Sequence, residues 1–395
     1  MFYLDEKIYI ADNNIAFDLQ NYKIYCIEDT NMEEVKRNII RNRDTIENKE
    51  LECIKIHVSN ICNLKCNYCY ASYGNYGKKD TLMSFKIAER IVDYIKRTKK
   101  IRYVTFFGGE PFMAMDVIEY ICENLIQNNI KFFAQTNGTL LNDRILEVIK
   151  KYHIKLTISL DGMKEINDYN RKFRSGQGTY DLIVSNINKI NQSIPNAIQA
   201  IQSTLSKEFI KYNELEIIDF IHKITKACII KLEYDINLNL DLSKEMIKRK
   251  IRVFFDTLIN KKFIIDGYPY HCLRTFFERK YNRYRCSAGN NISITSDGKV
   301  YPCQFYFNNK DYCMGDMVKE NTIQTQKIQN MEKKNNVSCK NCIANSYCEF
   351  CIAKKEDCNY NKLFVECFFD IFAQYIVNGK FSVIYNNYKD IILRL

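Results

Sequence analysis

The sequence predicts an α/β protein, a partial (β/α)6 barrel followed by a small cysteine-rich domain. Three observations lead there. The chain has 395 residues, past the roughly 250–300 at which one hydrophobic core stops growing. From residue 51 to about 235, short β-branched runs alternate with segments of helical period. After Cys286 the cysteines crowd together. Six strands joined by helices require right-handed crossovers and a parallel sheet, which curls into a complete or partial barrel when both faces must be covered. Functional residues then belong at the C-terminal ends of the strands.

The elements follow in order. Residues 1–48 read as a small leading element, in which KIYIADNNIAFDLQNYKIYCI alternates as a hairpin does and NMEEVKRNIIRN has helical spacing. The core is assigned to 49–242. ECIKIHVS is a strand, and SFKIAERIVDYIKR a helix with Phe85, Ala88, Ile91, Val92 and Ile95 on one face. RYVTFFGG, KFFAQTNG, IKLTISLDG, AIQAIQSTL and ACIIKLEYDI supply the remaining strands, separated by the helices MDVIEYICENLIQNN, DRILEVIKKY, YDLIVSNINKI and ELEIIDFIHKI. A charged helical connector spans 243–285. The second domain, 286–395, opens with a hairpin turning at Asp297-Gly298.

Composition narrows the class. At 46% hydrophobic and 27% charged residues the chain is an ordinary globular protein. No run approaches the roughly 18 apolar residues of a membrane span. The N-terminus lacks a basic stretch before an apolar core, which predicts a cytoplasmic protein. The net charge of +11 is spread along the chain, so solvated faces are expected and no nucleic acid partner. In a reducing compartment the 17 cysteines point to metal or catalysis.

Cys62, Cys66 and Cys69 form a C-x3-C-x2-C array just beyond the first strand. Three thiolates in one loop suit a four-iron cluster and leave one iron open to a ligand, whereas structural zinc wants four ligands and no fourth lies nearby. Phe107-Gly108-Gly109-Glu110-Pro111 follows the second strand, Thr136-Asn137-Gly138 ends the third, and Ser159-Leu160-Asp161-Gly162 ends the fourth, with Arg171 beyond it. With these motifs in register, residues 51–235 resemble the radical S-adenosylmethionine (radical SAM) enzymes. The resemblance implies that SAM sits at the open iron and is cleaved reductively to a 5′-deoxyadenosyl radical, which takes a hydrogen atom from substrate. It also implies that Gly108, Gly109 and Glu110 hold the SAM ammonium, that Ser159, Asp161 and Arg171 lie at its ribose and carboxylate, and that Tyr68 lies against adenine.

Downstream come Cys286, Cys303, then Cys339-x2-Cys342-x5-Cys348-x2-Cys351, and Cys367. After a radical SAM core this pattern resembles the SPASM domain, which carries two auxiliary four-iron clusters. The resemblance places Cys339, Cys342, Cys348 and Cys367 on one cluster and Cys286, Cys303 and Cys351 on the other, three 4Fe-4S clusters in all. Cys358 is a substitute for Cys351, and Cys272 a candidate fourth ligand unless that corner is open. Cys26, Cys53, Cys122, Cys228 and Cys313 read as small buried hydrophobes, and His57, His153, His222 and His271 as satisfied core or surface residues.

Two enzyme functions compete. In sulfatase-maturing enzymes an aspartate follows the second SPASM cysteine as base; here Gln304 stands there and accepts no proton. The alternative is a maturase that forms thioether cross-links in ribosomally made, cysteine-containing precursor peptides, which the run Tyr70-Ala71-Ser72-Tyr73-Gly74-Asn75-Tyr76-Gly77 resembles. Residues 1–48 are then a reduced precursor-recognition element or a simple cap. Such an enzyme needs a one-electron donor such as a flavodoxin or ferredoxin. A non-catalytic metal-binding protein, from a different class, would have no use for the SAM motifs.

Overall fold

The computed structural model describes residues 3–5, 8–11, 15–19, 23–26, 51–235, 243–279, 291–319, 323–324, 326–329, 339, 342–348 and 358–393. The chain forms two compact units, one from residues 1–49, 240–287 and 329–395, the other from 50–239 and 288–328. Three breaks between the units lie within three residues of the expected boundaries at 48, 242 and 285, and a further one at 328/329 divides the cysteine-rich segment. The start of the cysteine-rich segment folds with the core, and the rest joins both the leading element and the connector.

The first unit begins with β1 (Tyr3–Asp5), β2 (Ile8–Ile10), β3 (Ile15–Asp18) and β4 (Lys23–Cys26), an antiparallel sheet in sequence order, larger than the expected hairpin. The helix expected at NMEEVKRNIIRN lies outside the described residues. The connector is helical as expected, at Lys244–Lys261 and Tyr268–Glu278. Two helices not anticipated close the chain, Cys358–Val377 and Phe381–Leu393. The first buries Phe364, Val365, Phe368, Phe369, Ile371, Phe372 and Ala373, which cover more than one face and so leave no stripe for a sequence pattern to detect. Its Phe369 and Phe372 pack on Phe17 of β3 with ring centroids 4.7 and 5.9 Å apart, and its Asp370 accepts a hydrogen bond from the buried Tyr9 hydroxyl at 2.5 Å.

The second unit is built on six parallel strands, β5 (Cys53–Ser59), β6 (Tyr103–Gly108), β7 (Lys131–Thr136), β8 (Lys155–Ser159), β9 (Ile198–Leu205) and β10 (Ile229–Tyr234), adjacent in sequence order. This is the expected (β/α)6 arrangement. One face of the sheet is apolar and covered: Ile54, Ile56, Val104, Phe106, Leu156 and Ile158 are wholly buried. The helix Phe85–Thr98 shows why its residues fold so. Ser84 accepts a hydrogen bond from Ile87 N as N-cap, Lys99 ends it in the left-handed conformation, and Ile87, Ala88, Ile91, Val92 and Ile95 form its buried stripe. A short helix, Lys164–Asn170, occupies the helix-prone stretch after β8 and ends at Arg171. The chain passes through β11 (Ile264–Asp266) of the first unit and returns as β12 (Asn291–Ile294), parallel to β5, then β13 (Lys299–Tyr301) and β14 (Gly315–Asp316) antiparallel. The hairpin expected at Asp297-Gly298 thus extends the core sheet. Among the described residues no helix is long and apolar enough to cross a membrane.

Candidate active site

The three cysteines Cys62, Cys66 and Cys69 lie half-buried on the loop after β5, and that loop is held from two sides. On one side Gly109 N donates to Ser59 O and Glu110 N to Ile61 O, each at 2.8 Å. A Cβ on Gly108 would stand 1.9 Å from Ser59 O, and one on Gly109 2.4 Å from Ile61 O. The glycines are therefore required by the protein's own cysteine loop, a closer constraint than the ligand approach expected of them. On the other side Lys65 N donates to Lys172 O at 2.7 Å and Asn67 N to Asn170 O at 2.9 Å, lacing the loop to the segment around Arg171.

The thiol sulfurs accept hydrogen bonds within this frame. Leu64 N points at Cys62 Sγ (3.4 Å), Tyr73 N at Cys69 Sγ (3.2 Å) and Asn137 Nδ2 at Cys62 Sγ (3.8 Å). Such donors favour thiolates. Burial acts the other way, raising the Cys62 thiol to about 12 and the Cys66 thiol to about 11. Deprotonation thus needs a cation beside the sulfurs, and three soft ligands on one loop with donors at their sulfurs fit an iron-sulfur cluster. Among the described residues no group of three His, Cys, Asp or Glu side chains surrounds a single metal ion.

Glu110 is wholly buried. Its Oε1 accepts from Thr136 Oγ1 (2.7 Å) and Phe112 N (3.2 Å), and its Oε2 from Asn137 N (2.7 Å). The carboxylate expected to face an ammonium is first a brace between the GGEP turn and the end of β7, and one of its four lone-pair sites, on Oε2, stays uncommitted. Asn137, read from sequence as part of the motif that ends the third strand, is the residue the brace positions. Its side chain donates to Asn63 Oδ1 at 2.8 Å and reaches Cys62. Burial raises the Glu110 pKa from 4.5 to about 7, against the hydrogen bonds that lower it. A raised carboxyl contributes stability that is complete below about pH 4.5 and lost as pH rises through about 7. In cluster-free protein we therefore expect the melting temperature to fall across this window and the fall to flatten in Glu110→Gln; equal slopes for both proteins would refute the assignment.

Tyr68, Asp161 and Arg171 come together as one group, with Asp161 and Arg171 buried and Tyr68 half-buried. The Tyr68 hydroxyl donates to Asp161 Oδ2 at 2.6 Å, Arg171 Nη1 donates to the Tyr68 oxygen at 2.6 Å, and Nη1 lies 3.8 Å from Asp161 Oδ1. Thr204 N completes the carboxylate at 3.0 Å. Burial alone would lower the guanidinium's pKa, but Tyr68, Cys66 and Asp161 together raise it, so it stays charged. Arg171 Nε is buried with no hydrogen-bond partner among the described residues. An unfilled donor on a buried cation beside Cys66 is what a ligand carboxylate would complete. Ser159, nine-tenths buried, ends β8 next to this group.

The second cysteine array is described in part. Cys286 and Cys351 lie outside the described residues. Cys339 and Cys342 are joined by Cys342 N to Cys339 O at 3.3 Å, and the charges of both Cys339 and Cys358 act on the Cys342 thiol, whose pKa burial raises. The substitute Cys358 is thus in electrostatic reach of that pair. Cys367 is wholly buried in the Cys358–Val377 helix, Cys348 is half-buried, and Cys303 is half-buried ahead of a 3-10 turn at Gln304–Tyr306. Cys272 is wholly buried on its helix with Leu273 and Phe276, as a small core side chain would be. His57 departs from expectation. It is 2% exposed, burial holds its pKa well below 6.5, and its Nε2 has no partner among the described residues. With Tyr76, Phe307, Ser296 and Asp297 it lines a cavity of about 160 Å³.

Comparison with known proteins agrees with this geometry. Residues 56–205 match the model of the radical SAM superfamily, and 286–351 that of an iron-sulfur cluster-binding domain, SPASM. An uncharacterized protein, MJ0907, of Methanocaldococcus jannaschii is 30% identical over 69% of this chain and 91% of its own length. The radical SAM cyclopropyl synthase TigE of Paramaledivibacter caminithermalis is 25% identical over 74% of this chain and 66% of its own. A cysteine-type anaerobic sulfatase-maturating enzyme of Clostridium novyi is 24% identical over 83% and 96%. Among solved structures, anSMEcpe with bound AdoMet and Kp18Cys peptide superposes with a TM-score of 0.68 at 20% identity over 85% of this chain and 99% of that one. Streptococcus suis SuiB bound to precursor peptide SuiA gives 0.58 at 17%, over 89% and 96%. Motifs, sheet order and relatives agree: the chain belongs to the radical SAM superfamily and carries a SPASM domain.

Proposed function

We propose that the protein is a radical SAM maturase that modifies a ribosomally made, cysteine-containing precursor peptide by thioether cross-linking. The observation that carries the SAM assignment is the cysteine loop clamped between the GGEP turn and the Arg171 segment, with Arg171 Nε unfilled. Cys62, Cys66 and Cys69 would hold a four-iron cluster, which would supply one-electron reductive chemistry to bound SAM. The chain's own residues bind and orient. Arg171 takes the methionine carboxylate of SAM, Asp161 and Tyr68 hold the guanidinium in place, and Ser159 meets the ribose. The free lone pair of Glu110 Oε2, beside Gly108 and Gly109, accepts from the ammonium.

Two auxiliary four-iron clusters are part of the same reading, with Cys339, Cys342, Cys348 and Cys367 as ligands of one and Cys286, Cys303 and Cys351 of the other, together with a flavodoxin or ferredoxin as electron donor. The peptide substrate is supported by the peptides named in the two solved structures above. Sulfatase maturation is the second reading, favoured by the 96% coverage of the C. novyi enzyme. Gln304, an amide that cannot serve as base, speaks against it.

The test uses reconstituted, reduced enzyme with SAM and the cysteine-containing peptides encoded beside its gene. We expect 5′-deoxyadenosine release and a product that has lost two hydrogens and one alkylatable thiol. A product that instead forms a hydrazone, the sign of an aldehyde, would establish the sulfatase-type reaction.

A further inference from the structure

The face of the β5–β10 sheet opposite the covering helices carries a band of polar side chains beside Phe107, Phe133 and the buried His57. Lys55, Gln135, Gln202 and Lys231 sit at alternating positions with the wholly buried Ile54, Ile56, Leu156 and Ile158 of the other face, yet each is only half-buried, and Glu233 is exposed. A sheet centre with half-exposed polar residues is a concave surface left for something else to fill.

This is the inner face of the partial barrel. β7 and β9 are two strand spacings apart, about 10 Å in a flat sheet at 4.7–4.9 Å per strand, and Gln135 and Gln202 lean together over β8 on this face.

Two features of this face have unfilled hydrogen-bonding capacity. Gln135 Nε2 donates to Gln202 Oε1 at 2.8 Å, and neither side chain has another partner among the described residues. A head-to-tail amide pair leaves one carbonyl oxygen and one NH2 exposed, the complement of a peptide unit's own N–H and C=O. Lys55 Nζ stands 4.7 Å above the Phe107 ring and forms no ion pair among the described residues. It is a cation inside a half-enclosed chamber with its donors open.

We propose that this concave face binds an extended peptide segment, with the Gln135–Gln202 pair reading the backbone and Lys55 taking a carboxylate of that segment. This rests on the peptide-modifying reading above and adds to it a substrate class, a peptide with an acidic side chain close to the modified residue. A lysine is suited to the task as a mobile point charge, and Lys231 adds a second positive charge that Glu233 partly balances.

The test uses anaerobically reconstituted, SAM-loaded protein and blocked glycine pentapeptides carrying Glu, Gln or Lys at the centre, with binding followed by saturation-transfer NMR. We expect the Glu peptide to bind about tenfold more tightly than its Gln isostere, the effect of one charge-assisted hydrogen bond. In Lys55→Met that preference should vanish, with iron content and SAM affinity as controls, while Gln135→Ala should weaken all three peptides alike. Equal binding of Glu and Gln peptides by the unaltered protein would overturn the carboxylate site and leave the peptide reading standing. Loss of iron in Lys55→Met would make Lys55 a partner of the Cys303 thiolate and overturn the proposal also. Failure of every peptide to bind while SAM affinity is intact would overturn both readings together.

Discussion

Replacing Cys62, Cys66 and Cys69 together by Ala is expected to remove about a third of the protein's iron and all SAM cleavage. Three four-iron clusters carry about 12 iron atoms, and these three thiols are the proposed ligands of one cluster. The loop itself should survive the change, because its bonds to Gly109, Glu110, Asn170 and Lys172 are made by backbone atoms. Iron analysis and 5′-deoxyadenosine assay of the anaerobically reconstituted variant provide the check. A variant that still releases 5′-deoxyadenosine would end the assignment of the core. A variant that loses all its iron would show the auxiliary sites to be dependent on this loop.

Arg171→Met should have the second largest effect, and on two measurements at once. The guanidinium and the Asp161 carboxylate are 9% and 0% exposed, so removing the cation leaves a buried carboxylate held by neutral donors alone, among them Tyr68, Thr204 N and Asn170. Taking one partner from a buried charged pair costs about 3–5 kcal/mol. We expect a lower melting temperature in the cluster-free chain and, in the reconstituted protein, SAM affinity reduced at least about tenfold. Arg171→Lys should recover part of the stability through its charge and less of the affinity, since an ammonium cannot present the planar fork that a carboxylate matches. Wild-type SAM affinity in a folded Arg171→Met protein would remove Arg171 from the site.

The core was legible in the sequence because its signals are local. Strands β5 to β10 are short apolar runs between helices with clear 3.6-residue stripes, and the motifs fall at strand ends, where a parallel sheet collects its function. The last two helices were not legible. Cys358–Val377 buries residues on more than one face, and a pattern without a polar side has no period to read. The grouping of distant segments was hidden for a different reason. β12 follows a long helical connector in sequence but pairs with β5, and no local feature of Asn291–Ile294 says which distant strand will be its neighbour.

The sequence by itself determined the kind of chemistry, since C-x3-C-x2-C, GGEP and SLDG at the ends of the first, second and fourth strands are contiguous patterns whose spacing sets their meaning. Only the tertiary structure decided what those residues do for one another. Gly109 is glycine because Ile61 O occupies the place of its Cβ, Glu110 is a brace for Asn137, and Tyr68 joins Asp161 to Arg171 across 93 and 103 residues of chain. The same holds for the concave face, where Gln135 meets Gln202 and Lys55 lies over Phe107. Hydrogen bonds and charge act over a few ångströms of space, and the distance along the chain that separates their partners carries no trace of them.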